Sequence, residues 1–246
     1  MRIPLSPLLP ALALAGLAAC GQESGSVPEV PAQELSAEVP ELAGIHEYMH
    51  PLWHDAVPER DFQLLRELLP DLGESVSALD TAELPGILRD KETAWEEGKA
   101  QLLESFRGLE EAAAEGDEEG MLGYAETFHM SYEGLARLVR PPLPEMDAVH
   151  QHLYALYHHY GPGYDLEKIR GSTLGMQETI PPLLEAELPS RLEGTEDEFR
   201  ARVLTLQDRV GELLAALEDP VREEVQAAVD SVHTAYAQVD ALFVQG

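Results

Sequence analysis

The sequence predicts an all-α protein made of two tandem up-and-down four-helix bundles. Two observations carry that expectation. The chain repeats itself without a gap at an offset of 104 residues, since His46 falls on His150 (150 − 46 = 104). Each copy also places apolar residues three and four apart, with little of the alternation that a strand requires. Holding the offset, His54 meets His158, Pro58 meets Pro162, Asp61 meets Asp165 and Arg66 meets Arg170. Further on, Ala82-Glu83-Leu84-Pro85 meets Ala186-Glu187-Leu188-Pro189, and Trp95 meets Phe199. Leu102, Leu109, His129 and Tyr132 meet Leu206, Leu213, His233 and Tyr236. A register that holds from His46 to Tyr132 and aligns three histidine pairs is the mark of a duplicated module.

Residues 1–19 carry one charge, Arg2, and an apolar run from Leu8 to Ala19 that is too short to cross a bilayer and has the form of an export signal. Leu17-Ala18-Ala19-Cys20-Gly21 then resembles the lipobox of bacterial lipoproteins, and Cys20 is the single cysteine of the chain. The resemblance implies cleavage before Cys20, acylation of that residue, and a protein anchored to a membrane of the cell envelope, facing the periplasm or cell exterior, without spanning it. Residues 20–40, rich in Glu, Ser and Pro, are expected to form a flexible tether.

The first bundle is expected over residues 41–140. Its helices read as 42–57, 62–79, 88–114 and 121–139, broken at Pro58, at Pro85 and at the Gly116-Asp117 turn. Arg140-Pro141-Pro142-Leu143-Pro144 cannot continue a helix and should form a stiff joint. The second bundle, 141–246, repeats the outline with breaks at Pro162, from Pro189 to Gly194 and at Pro220. Short connections between consecutive helices favour up-and-down packing. The formal charge of −30, from 16 basic and 46 acidic residues, speaks against nucleic acid as a partner and describes a solvated acidic surface.

His46-Glu47-Tyr48-Met49-His50 spells the zinc-protease motif H-E-x-x-H, but the copy reads His150-Gln151-His152-Leu153-Tyr154, which loses the glutamate and the second histidine. Pro51 also follows His50 directly, where a protease helix should run on undisturbed. No nucleophile with a base, and no water-activating set, is kept in both copies, so the chain does not read as an enzyme.

His46, His50 and His54 are four apart and share roughly one face of the first helix, though Pro51 makes that face approximate; Glu126, His129 and Tyr132 are three apart on the fourth. The first and last helices of such a bundle are antiparallel neighbours, so His129 should face His46 or His50 across it. The expected metal ligands are therefore His46, His50, Glu126 and His129, with His150, Asp230 and His233 in the copy. Met49, Tyr132 and Tyr236 stand beside them. His54 lies about 12 Å along the helix from His46, too far to share one ion readily. The set His54, Pro58, Asp61 and Arg66, with its copy His158, Pro162, Asp165 and Arg170, is read first as structural: Asp caps a helix and Arg pairs with it. A secondary site is the alternative.

The run from Trp95 to Tyr132, with its long third helix, the Gly116-Asp117 turn and His129-x-x-Tyr132, resembles the C-terminal half of cytochrome c prime proteins. That family holds haem at C-x-x-C-H in a four-helix bundle. Here the matching residues are Ala125-Glu126-Thr127-Phe128-His129 and Val229-Asp230-Ser231-Val232-His233, so covalent haem is excluded. What remains is a zinc or copper ion between facing histidines, non-covalent b-type haem on His129 with Met49, His46 or His50, or a scaffold whose histidines are structural.

Overall fold

The computed structural model describes residues 29–244. The signal segment 1–19, Cys20 and the start of the tether lie outside the described residues. Within them the protein is helical throughout, without a strand, and no helix is long and apolar enough to cross a membrane.

In the first half, helix α1 (Pro40–His50) runs into a π-helical turn, Pro51–Ala56, and a last turn, Val57–Glu59. Then follow α2 (Phe62–Asp80), a 3-10 turn (Gly86–Lys91), α3 (Glu92–Glu115) and α4 (Glu118–Val139). The second half has α5 (Pro144–Tyr154), a π turn (Ala155–Tyr160), a last turn (Gly161–Gly163) and α6 (Leu166–Leu184). It continues through a 3-10 turn (Ser190–Leu192) to α7 (Glu196–Ala216) and α8 (Arg222–Val244). Each long helix of the first half thus starts 104 residues before its counterpart: 40 and 144, 62 and 166, 92 and 196, 118 and 222.

The paired apolar positions are the core. Trp95 and Phe199, Leu102 and Leu206, and Leu109 and Leu213 are all buried, as are Ile45 with Val149 and Phe128 with Val232. Their three- and four-residue spacing gives each helix one apolar stripe, and packing consecutive helices stripe to stripe removes it from water. α3 lies along α4, and α7 along α8.

Pro58 and Pro162 do not break the first helix, contrary to the sequence expectation. Both sit in its last turn, and the chain reverses two residues later at Arg60 (φ 52°) and Tyr164 (φ 53°), each in the left-handed region. The N–H of the next residue, Asp61 or Asp165, returns to the carbonyl of Ala56 or Tyr160 at 2.8 and 3.1 Å, the bond that closes a Schellman end. The π turn before it recurs where Ala155 replaces Pro51, so Pro51 is not its cause. What both copies share is a proline directly after the last π bond, Val57 N–H to Leu52 and Gly161 N–H to Leu156. A proline has no N–H with which to return the ladder to α spacing there.

Asp61 and Asp165 cap α2 and α6 through the N–H groups of Leu64 and Lys168. The expected Arg66–Asp61 pair does not form: Arg66 donates to the Phe62 carbonyl of its own helix, and Arg170 reaches Glu218 and the Leu217 carbonyl. Part of the stretch read as tether also differs. Val30 and Val39 are buried, and a 3-10 turn, Ala32–Leu35, packs against Gly86–Lys91, so the chain joins the folded body well before Pro40. Arg140 is extended and α5 starts at Pro144, as the proline-rich joint requires.

The α3–α4 turn closes with Gly116 at φ 71° and Asp117 accepting from the Gly120 N–H at 3.0 Å. Asp117→Ala is expected to lower stability by about 1 kcal/mol, read as an earlier midpoint in urea unfolding with an unchanged slope.

Candidate metal centre

Three side chains from three elements meet where the two halves touch. Asp90 comes from the 3-10 turn of the first half, His158 from the π turn of the second and His233 from α8. Asp90 Oδ2 accepts from His233 Nε2 at 2.9 Å and lies 3.4 Å from His158 Nε2. All three donor atoms fall within 4.8 Å of one another, and this is the one such group of three or more His, Cys, Asp or Glu ligands among the described residues. The imidazole hydrogen bonds hold the Asp90 carboxyl well below the usual carboxylate range, against a smaller opposing effect of burial. The set is partly open, with Asp90 45% exposed and the two imidazoles 14% and 25% exposed.

The π turns place aromatic rings around these imidazoles. Tyr157 stacks on His233 with centroids 3.8 Å apart and planes 7° apart, and it meets His158 edge-on at 5.0 Å. The first half repeats the stack: Trp53, at the position of Tyr157, lies on His129 at 4.3 Å and 8°. The two ring pairs farther along the helices also match. His46 Nδ1 and the Tyr132 hydroxyl are 2.8 Å apart, and His150 stacks on Tyr236 at 4.9 Å.

The 3-10 turn that carries Asp90 is fixed from both ends. Arg89 hydrogen-bonds to the Tyr154 hydroxyl, which donates to Glu34 at 3.0 Å; Lys91 pairs with Asp240 at 3.4 Å. Burial and the bond to Glu34 push the Tyr154 hydroxyl up to about 12. Gly86 allows the approach, because a Cβ there would stand 2.5 Å from the Tyr154 oxygen.

The sequence-derived candidates are distributed as follows. His233 is in the cluster, and so is His158, which was read first as structural. His46 pairs with Tyr132, His129 lies under Trp53 with burial lowering its pKa, and His50 is 3.5 Å from Asp55 at the surface. Glu126 and Asp230 are exposed, Met49 is buried in the core, and His150 is enclosed against Tyr236. His46, His50, Glu126 and His129 do not gather into one ligand group among the described residues. Asp90 is the residue that sequence reasoning missed. Its counterpart is Gly194, so a comparison of retained positions passes over it.

Two imidazole nitrogens and one carboxylate oxygen, with an open side, suit a divalent ion such as zinc, which takes three protein ligands and leaves a fourth position free. Ligand atoms about 2.0–2.1 Å from a tetrahedral zinc stand about 3.3 Å apart, near the 2.9 and 3.4 Å that separate Asp90 Oδ2 from the two imidazole nitrogens. The chain matches no family model, no curated protein and no solved structure.

Burial holds the His150 pKa down to about 4, from an ordinary 6.5. The unfolded chain therefore takes up this proton first on acidification, and His150 withdraws stability as pH falls from about 6.5 to about 4. Replacing His150 by Phe should flatten the pH dependence of urea midpoints across that window, while an unchanged slope would assign it to other groups.

Proposed function

We propose that the chain is an exported, lipid-anchored protein of two duplicated four-helix bundles that holds a transition-metal ion between Asp90, His158 and His233. The observation that carries this reading is the convergence of three ligand atoms from both halves on one partly open point. Zinc is favoured over copper. The donors are nitrogen and oxygen, and Met49, whose thioether would favour copper, is in the core. The lipobox-like Leu17 to Gly21 supports export and anchoring through Cys20, and the matched helix starts support the duplicated bundle. The cytochrome c prime likeness rests on the residues of the third and fourth helices alone.

The chemistry is that of binding. Asp90 supplies negative charge, the imidazoles supply lone pairs when neutral, and Tyr157 fixes the plane of His233. A second reading, a scaffold in which the three residues are a metal-free clasp between the halves, is favoured by the His233–Asp90 hydrogen bond of 2.9 Å already present.

Zinc titration of tag-free protein at pH 7 separates the two. The metal reading expects about one ion per chain, a higher melting temperature with zinc that a chelator reverses, and at least about tenfold weaker binding in Asp90→Ala and in His233→Ala. His46→Ala and His129→Ala should bind as the parent does. Zinc uptake that is unaltered in the Asp90→Ala, His233→Ala double variant would leave the clasp reading standing.

A further inference from the structure

A cavity of about 940 Å³ is a separate feature of the described structure. It lies at the joint of the halves, bounded by the segment before α1, the start of α1, the end of α4 and α5. Its volume is in the range of small-molecule sites. Leu35, Val39, Leu42, Ala136 and Val139 give it an apolar wall, and the polar groups that line it include His46, Tyr132, Arg140, Asp147 and Gln151.

The repeat supplies an internal comparison. His150, Tyr236 and Asp240, the counterparts of His46, Tyr132 and Ala136, line a smaller cleft of about 290 Å³. There the carboxylate of Asp240 meets the ammonium of Lys91 at 3.4 Å, so the copy carries its own anion and cation in the cradle. In the first half the position of that carboxylate is Ala136, and the cavity is open.

The cation of the open cavity is Arg140. It is the one arginine that lines this cavity, and its exposed side chain has no carboxylate partner among the described residues. Its charge reaches the Tyr132 hydroxyl. When His46 carries its proton on Nδ1, it donates to the phenol oxygen and leaves the phenolic O–H free to donate to a guest. Arg140 and Tyr132 then offer two donors to one acceptor, the pattern that a carboxylate satisfies. Asp147, which accepts from Gln151 at 2.9 Å, and Glu38 add negative charge to the wall and oppose a second anionic group.

We propose that this cavity binds an apolar monocarboxylic acid, with its carboxylate at Arg140 and Tyr132 and its hydrocarbon body against α1 and α4.

The test is calorimetric titration of the full chain with four ten-carbon probes: decanoate, decanol, decylamine and decanedioate. Decanoate is expected to bind one per chain, and each of the others at least about tenfold more weakly, as loss of a charge-assisted contact implies. Arg140→Gln should cost decanoate about tenfold and leave decanol unchanged. Ala136→Asp, which gives the first cradle the carboxylate of the second, should abolish decanoate binding in a protein that keeps its helical circular dichroism. No decanoate binding, decanol or decylamine binding as tightly as decanoate, or full affinity in Arg140→Gln would each overturn the proposal.

Discussion

Six residues, Gly86 to Lys91, tie the two halves together, and three consecutive charged side chains do it. Arg89 bonds to Tyr154, Asp90 to His158 and His233, and Lys91 to Asp240. A 3-10 turn suits this task, since at about three residues per turn successive side chains fan out in different directions. Each charge meets an opposite or hydrogen-bonding partner in a partly solvated setting, where one such pair contributes little. Three pairs on one short turn act together, because ordering the turn for the first orders it for the others.

The same contact explains why the two copies differ in burial. In the first half His54 is exposed, whereas its counterpart His158 is half-buried beneath the connector. A π turn is a local misfit in an α-helical ladder, and such turns are found disproportionately at functional sites. Both copies keep the turn and the ring stacked on the fourth-helix histidine, Trp53 on His129 and Tyr157 on His233. Only the second adds a carboxylate. The same frame therefore occurs twice, and the connector brings a carboxylate to one of them.

The helices were legible in the sequence because their determinants are local: apolar spacing, the Asp61, Asp117 and Asp165 caps, and the Gly116 turn. Pro58 misled for the same local reason, since its cost is real in a regular helix but is absorbed beside a π turn in the last turn of this one. The Asp90, His158 and His233 cluster was half legible. His158 and His233 stood out as retained positions, but the partner that joins them comes from a connector whose copy is Gly194. Retention marks what both modules need, and a contact between modules is needed only once. His46 and His129 were expected to face each other across a bundle. Even so, Tyr132 and Trp53 reached them first, and pairing of rings across a bundle depends on rotations that periodicity does not set.

The connector also gives the molecule a direction. A knob on the first half enters a socket on the second, so the contact is head-to-tail rather than self-complementary. Contacts of that kind propagate into open arrays whenever every unit carries both parts. At the matching place the first half carries the exposed His54 beside the stacked Trp53–His129 pair. The second half's knob is blunted: at the place of Asp90 stands Gly194, with φ 88° and no carboxylate to offer. The contact made by Asp90 thus has no counterpart at the far end of the chain, much as a terminal repeat of a solenoid differs from those inside it.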